Sequence, residues 1–257
     1  MKGKKLNTKV FGRDKRTEFA SEMLKSTQGD LGKKIILLPT PSTRDGIHIT
    51  DTDIRISDII CELHGGEAVF GYGLSEELMK AICEGGAAAY DLSLDEILLE
   101  ENARLTALGT LSTILNGMTA DPDSLRIGIL GFGRIGRHLA RFLTFHGVSL
   151  VIFTSKKDLP EELRSVGVCS VETGYLGEES DLSLLRDLDI LINTAPARII
   201  TDRAESALVG TKVIELASGN NIPQRLNPIV LPSIPGRMYP ESAGRILFKS
   251  IVRFLDL

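Results

Sequence analysis

Arg126-Ile-Gly-Ile-Leu-Gly-Phe-Gly-Arg-Ile-Gly136 is the stretch that decides the fold. A short apolar run, Ile127, Ile129 and Leu130, delivers three glycines at G-x-G-x-x-G spacing into a segment where Ile135, Leu139, Phe142 and Leu143 recur at helical intervals. Strand, tight turn and helix in that order build a pyrophosphate seat. Gly131 takes the turn, Gly133 leaves room for phosphates, and Gly136 lets the helix lie close to the strand. The helix N-terminus then faces the phosphates with free N–H groups and the positive end of its dipole. Because the chain holds 25 glycines, the spacing alone would be weak, and a bare structural turn is the alternative. The flanking strand and helix favour a dinucleotide.

The tip of the next strand selects the dinucleotide. Ser149-Leu-Val-Ile-Phe153 runs into Thr154-Ser155-Lys156-Lys157, where an NAD enzyme would place Asp or Glu to accept from the ribose 2′-hydroxyl. Hydroxyls and ammonium groups suit a 2′-phosphate instead, so NADP(H) is the expected cofactor. The plainer reading of the two lysines is a solvated loop.

Composition bounds the rest. The 257 residues, 42% hydrophobic and 25% charged, suit one large or two modest globular domains. A net charge of −4 offers no basic field for nucleic acid. No apolar run is long enough to span a membrane, and the basic N-terminus lacks the apolar stretch of a secretory signal. Cys61, Cys83 and Cys169 are scattered, and read as reduced packing residues of a cytoplasmic protein.

The periodicities predict an α/β protein of two Rossmann-like domains with parallel sheets, joined by a long helix, the C-terminal one binding the dinucleotide. In the first part, strands are expected at 8–11, 34–38, 68–70 and 87–90, and helices at 17–26 and 75–83. A long helix starts at Ser93, with Ser93 and Glu96 as a capping box and Leu94, Ile97, Leu98, Leu105, Leu108, Leu111, Leu115 and Met118 as its apolar stripe up to Gly117. The turn at Asp121-Pro122-Asp123 divides the chain. The expected domains are 1–120 for substrate, 121–239 for NADP, and a C-terminal helix over 240–257 packing back on the long helix. A homo-oligomer is also expected.

Later strands are expected at 149–153, 168–171, 190–193, 213–216 and 229–231. Two end in polar chemistry: Leu191-Ile-Asn-Thr-Ala-Pro196 and Glu215-Leu-Ala-Ser218. Carboxyl strand ends face the ligand crevice of an open parallel sheet, which would set Asn193, Thr194 and Pro196 beside the nicotinamide ribose.

These residues resemble a family. Gly131–Gly136, Asn193-Thr-Ala-Pro196, Leu216-Ala-Ser218 and Pro232-Ser-Ile-Pro-Gly236 followed by Ser242-Ala-Gly244 are similar, in order, to the motif series of the dipicolinate synthase A-subunit family. Phe11-Gly-Arg-Asp-Lys-Arg16, Leu38-Pro-Thr-Pro-Ser-Thr-Arg-Asp-Gly46, and Asn102 with Thr106 and Gly109, extend the resemblance into the first domain. It implies NADP-linked oxidation of dihydrodipicolinate to dipicolinate during sporulation, alongside a flavoprotein-like B-subunit. The chain also departs from the family. Leu105 and Leu108 stand where the family has proline and glutamate, Gly219-Asn-Asn-Ile-Pro223 replaces an Arg-Pro-Gly-Gly loop, Glu241 replaces a lysine, and Gly29-Asp30-Leu31-Gly32 is a shortened link. It reads as a divergent, shortened member.

A pyridine dicarboxylate needs cations and hydroxyls to hold it. Ser42, Arg44, Asn102, Thr106 and Arg237 are the candidate substrate-binding residues, and Thr43 and Asp45 the catalytic ones, with Asp45 accepting a proton unless Asp45-Gly46 is only a turn. The candidate cofactor-binding residues are Gly131, Phe132, Gly133, Arg134, Ile135, Gly136, Thr154, Ser155, Lys156, Asn193, Thr194, Ala195, Pro196, Ala217, Ser218, Pro235 and Gly236. No metal is expected. A 2-hydroxyacid dehydrogenase would share this layout but needs a general acid, commonly His. The four histidines are His48, His64, His138 and His146, with none beyond 146, which weakens that alternative. His48 could reach a crevice, although a lone histidine near a strand is more often a packing or surface residue. The other alternative is a non-catalytic NADP(H)-binding subunit or scaffold.

Overall fold

A computed structural model describes residues 6–27, 34–117, 121–155, 160–165, 167–172, 176 and 179–256. Lys156 and Lys157, the short link at 29–32 and Met118 lie outside the described residues. The chain divides into two compact units, Met1–Asn102 with Pro235–Leu257, and Ala103–Ile234. The division falls inside a long helix rather than at the Asp121-Pro122-Asp123 turn, and the C-terminal segment belongs with the first unit.

In the first unit, β1 (Asn7–Val10), α1 (Lys15–Ser26), β2 (Lys34–Leu37), α2 (Ile56–Cys61), β3 (Ala68–Gly71), α3 (Glu76–Glu84) and β4 (Ala88–Asp91) alternate, with α2 a helix not expected from the sequence. The strands form a parallel sheet in the order β1-β2-β3-β4. Parallel strands covered on both faces need apolar residues at every position. Lys34-Ile-Ile-Leu-Leu38 meets that need: Ile35 and Leu37 join one core with Leu24, Phe70 and Leu98, while Ile36 and Leu38 join the other with Ile59, Val69 and Ile82.

The long helix is α4 (Glu96–Asn116). Its cap is not the expected box. Ser93 sits in a 3-10 turn over Leu92–Leu94, and Asp95 instead accepts from the backbone N–H groups of Ile97 and Leu98 at 3.0 and 3.2 Å. Leu94 and Ile97 are also exposed, at 70% and 56%, because the buried face of α4 runs through Leu98, Ala103, Leu105, Ala107, Leu111 and Ile114.

The second unit contains β5 (Arg126–Leu130), α5 (Arg134–Phe145), β6 (Ser149–Thr154), α6 (Glu161–Arg164), β7 (Cys169–Glu172), α7 (Glu179–Arg186), β8 (Ile190–Asn193), α8 (Asp202–Ala207), β9 (Lys212–Glu215) and β10 (Ile229–Val230). The parallel sheet runs β10-β9-β8-β5-β6-β7, so β5 is flanked by β6 on one side and β8 on the other. This is the doubly wound dinucleotide-binding order, with its switch point between β5 and β8. Ile127, Ile129, Ile152 and Ile192 pack with Leu139 and Leu143 of α5, while Val151, Phe153, Leu191 and Val213 pack with Leu182 and Leu185 of α7.

Two helices complete the first unit, α9 (Ile234–Met238) and α10 (Pro240–Leu255). The expected apolar stripe of α10 is real, with Ala243, Leu247 and Ile251 buried; Leu247 and Ile251 share a cluster with Leu98 of α4, and α10 also crosses α1 closely. Gly244 permits this, since a Cβ there would stand 2.5 Å from Phe19 Cβ and 2.8 Å from the Arg16 carbonyl oxygen. A polar tie to α4 is made at the cap: Ser250 Oγ donates to Asp95 Oδ2 and Arg253 pairs with the same oxygen. Burial would raise the Asp95 carboxyl, but the bonds from Ser250, Arg253 and the Leu98 N–H hold it below its usual value. Cys61, Cys83 and Cys169 are exposed thiols rather than packing residues. Among the described residues no helix is long and apolar enough to cross a membrane, and no group of His, Cys, Asp and Glu could hold a metal ion.

Candidate functional site

The switch point of the second unit carries the glycine loop. Gly131 has φ +89°, which an L side chain rarely adopts, and its N–H donates to Phe153 O at 2.8 Å. A Cβ on Gly136 would lie 2.4 Å from the Gly131 carbonyl oxygen, so only glycine lets α5 start this close to the strand end. Gly133 is different: it is the N-cap of α5, and a Cβ there would meet nothing within 4 Å. Its missing side chain leaves open space rather than relieving a protein contact. That is the cradle a pyrophosphate requires. No side chain caps α5 and no acidic residue lies in its first turn, so the start of the helix itself does not oppose an anion.

The other expected cofactor residues divide by role. Phe132 is 4% exposed and Ile135 packs on the same apolar cluster, so both hold the loop from below. Arg134 is half-buried at the first position of α5. Thr154 is buried at the tip of β6, paired in register with Glu172, and Ser155 beyond it is exposed. Thr194 is a strut rather than an outward hydroxyl. Its Oγ1 donates to Leu130 O at 2.9 Å and lies 3.2 Å from Gly131 O, tying the end of β8 to the glycine turn. Ala195 is half-buried; Pro196 and Ser218 are exposed.

Asn193 does not face outward either, being 1% exposed. Its Oδ1 accepts from Ala195 N at 3.0 Å, and its Nδ2 donates to Ala195 O at 3.1 Å and Glu215 Oε1 at 2.9 Å. The same Glu215 oxygen accepts from Ala217 N at 2.9 Å. Asn193 and Glu215 thus lock the exits of β8 and β9 together. Burial raises the Glu215 carboxyl above its ordinary value, against the pull of the Ala217 N–H and the Asn193 amide. Glu215, 2% exposed, had no role assigned from sequence. Its signal was an acidic residue closing an apolar strand.

In the first unit, the loop after β2 carries the expected substrate residues. Ser42 is fully buried and serves the loop: its Oγ accepts from Tyr72 N at 2.7 Å, and its N–H donates to Tyr72 O at 3.0 Å. Thr43 Oγ1 accepts from Gly46 N at 2.8 Å and donates to Asp45 Oδ1 at 3.2 Å, so it closes the turn. Asp45, expected either as a proton acceptor or as a turn residue, closes the turn. Its Oδ1 accepts from the N–H groups of Ile47 and His48, each at 2.8 Å, and its Oδ2 meets His48 Nδ1 at 2.8 Å. Led by the His48 backbone N–H and then its ring, these bonds hold the Asp45 carboxyl far below the usual carboxylate range. A carboxylate so stabilised is a poor base. Arg44 beside it is exposed.

Asn102 and Thr106 lie one turn apart on α4, both half-buried. Pro235, Gly236 and exposed Arg237 lie in α9 of the first unit, where a Cβ on Gly236 would stand 2.9 Å from Arg16 Nε. Arg16 itself was quoted from sequence only within a motif. It is 9% exposed, pairs with Asp14 at 2.8 Å and donates from Nη2 to Thr40 O at 2.6 Å, while Asp14 Oδ2 accepts from Thr40 N. The pair joins the exits of β1 and β2, and a close Asp-x-Arg was its only sequence signal.

Comparison with known proteins agrees with the motifs. No protein-family model matches the chain. The A-subunit of dipicolinate synthase from Bacillus subtilis (strain 168) is 25% identical over 162 residues, which cover 60% of this chain and 53% of that protein. The match therefore spans about half the length of this curated relative. The crystal structure of the dipicolinate synthase A-subunit from Bacillus halodurans superposes with TM-score 0.76 at 20% identity, covering 100% of this chain and 99% of that one. A putative NAD-binding, D-isomer-specific 2-hydroxyacid dehydrogenase from Polaromonas sp. JS6 66 gives TM-score 0.61 at 16% identity, covering 98% and 97%. The resemblance to the dipicolinate synthase A-subunit is thus present in sequence and in fold, and the two parallel α/β units have the Rossmann-like fold of these solved structures.

Proposed function

We propose that this chain is a divergent, shortened relative of the dipicolinate synthase A-subunit that binds NADP(H) and oxidises dihydrodipicolinate, or a closely similar dihydropyridine dicarboxylate, to its aromatic form. The observation that supports it most is the glycine cradle at the β5–β8 switch point, with open space over Gly133 and close backbone approach at Gly136. When bound, the nicotinamide supplies a two-electron hydride acceptor. The protein's part is to seat the pyrophosphate on the start of α5 and hold the β8 and β9 exits in one arrangement through Asn193 and Glu215. Thr154 and Ser155, with no carboxylate of their own at the tip of β6, favour NADP(H) over NAD(H). Arg44 and Arg237 are the exposed cations proposed for the substrate carboxylates. The enzyme would act in the cytoplasm of a sporulating cell beside a flavoprotein-like B-subunit.

A second reading, an NADP(H)-binding subunit without its own chemistry, is favoured by Leu108 and Glu241, which stand where the family carries glutamate and lysine. Two measurements separate these readings. Fluorescence titration should show tighter binding of NADPH than NADH, and the reverse order would overturn the cofactor assignment. Dihydrodipicolinate with NADP, with and without the B-subunit, should produce NADPH. Binding of NADPH with no turnover in either mixture would favour the scaffold.

A further inference from the structure

The loops at the carboxyl edge of the first sheet carry an excess of negative charge over two cavities. Residues 47–56 form a short hairpin there: Ile49 N donates to Ile54 O, Ile56 N donates to Ile47 O, and His48 faces Arg55 across a backbone bridge. Its tip, Asp51-Thr-Asp53, borders both cavities. The smaller, about 250 Å³, is also lined by Arg44, Asp45, His48 and Thr50, and the larger, about 660 Å³, by Val10, Phe11, Arg13 and Ile54. All of these residues belong to the first unit. Three carboxylates and one arginine line the smaller cavity, and two carboxylates and one arginine the larger. Asp45 is spent on its turn and on His48, but Asp51 and Asp53 make no hydrogen bond or ion pair among the described residues.

A second observation is independent of charge. Thr50 is 6% exposed and lines the smaller cavity, yet its Oγ1 has no hydrogen-bond partner. The neighbouring hydroxyls are used: Ser42 Oγ accepts from Tyr72 N, Thr43 Oγ1 closes the Asp45 turn, and Thr52 Oγ1 donates to Ile49 O at 3.0 Å and accepts from Ile54 N at 3.2 Å. A buried polar group left unpaired destabilises a fold, and a ligand that completes the Thr50 hydroxyl accounts for it.

We propose that this part of the first unit binds a small primary amine, its ammonium held by Thr50 Oγ1, Asp51 and Asp53 and its alkyl body lying against Val10, Phe11 and Ile54. An ammonium is a compact cation with three N–H donors and no acceptor, which suits one hydroxyl oxygen and two carboxylates. A metal ion is a poorer match, since among the described residues no group of His, Cys, Asp and Glu could hold one. Lys9 of β1 is committed elsewhere, to Glu62 at 2.7 Å and to the face of the Phe11 ring at 4.4 Å. The same carboxylates repel a dicarboxylate, so this ligand is not the dihydropyridine proposed above, and the site stands without that reading.

The test is calorimetric titration of the whole chain with n-butylamine hydrochloride, against sodium butyrate at equal ionic strength. The amine should bind saturably at one site, and butyrate should not bind. Asp51→Asn combined with Asp53→Asn should weaken the amine by about 10-fold or more, and Thr50→Val by about fivefold. Thr50→Val should also keep or raise the melting temperature, because it deletes an unpaired hydroxyl rather than a bond; a hydroxyl kept for structure would lower it. Asp58→Asn changes an exposed carboxylate of α2 outside both cavities and should bind as wild type does. Thermal unfolding shows that each variant is folded. Unsaturable uptake, equal binding of butyrate, or wild-type amine affinity in either the folded Asp51/Asp53 double variant or folded Thr50→Val would overturn the site.

Discussion

Gly133→Ala, set against Gly131→Ala and Gly136→Ala, separates a glycine kept for a ligand from glycines kept for the fold. At Gly133 the backbone has φ −80° and ψ −161°, open to any residue, and the new methyl meets no protein atom within 4 Å. Alanine there gains about 0.4–1 kcal/mol by restricting the unfolded chain and loses a similar amount as a poorer N-cap, so stability should change by under about 1 kcal/mol. Its methyl would occupy the space assigned to the phosphates. NADPH affinity should fall about 100-fold, or about 2.8 kcal/mol. At Gly136 the methyl must fit 2.4 Å from a backbone oxygen, about 1 Å inside ordinary contact, at a cost of about 1–3 kcal/mol. At Gly131 a φ of +89° adds about 1–3 kcal/mol of strain, with Thr194 Oγ1 only 2.9 Å from the new atom. Thermal unfolding should therefore leave Gly133→Ala within about 4 °C of wild type and lower the other two by about 3–10 °C. Fluorescence titration supplies the affinities. Wild-type NADPH affinity in Gly133→Ala would refute the cradle, and so would a loss of stability in that variant matching Gly136→Ala.

Other perturbations test the supports of the two units. Glu215→Gln can keep the pairing with Asn193 and Ala217 while removing an ionisation that burial opposes. Because the folded pKa is raised, the stabilising contribution of wild-type Glu215 is complete below about pH 4.3 and is lost as pH rises through the folded value. Urea midpoints of wild type should thus fall relative to Glu215→Gln between acid and neutral pH; parallel curves would contradict the buried acid. Asp95→Ala removes the α4 cap and the partner of Ser250 and Arg253, and should cost about 2 kcal/mol in denaturant unfolding at pH 7. The Asp95 pKa is lowered, so that loss should shrink as pH falls below about 3.9. Gly244→Ala should cost about 1–3 kcal/mol by forcing α10 off α1, and an unchanged melting temperature would refute that close crossing.

The sequence by itself determined whatever depends on near neighbours along the chain. Apolar runs such as Ile35 to Leu38 declare parallel strands because both faces need covering, and Gly131 and Gly136 declare their roles because strand, tight turn and helix follow within six residues. The Asp45-Gly46 turn was legible for the same reason. Capping was read one step wrong, because Ser93 and Asp95 are both good caps and the backbone turn at Leu92–Leu94 chose between them. Partners far apart in the chain were decided only by tertiary structure. Asn193 faces Glu215 because β8 and β9 pair in register, and Thr194 braces the glycine turn because β8 lies beside β5. Arg253 reaches Asp95, and α10 packs closely on α1, across more than 150 residues of chain. Periodicity states that a face will be buried, but the covering element depends on strand order and close approach, which no local pattern encodes.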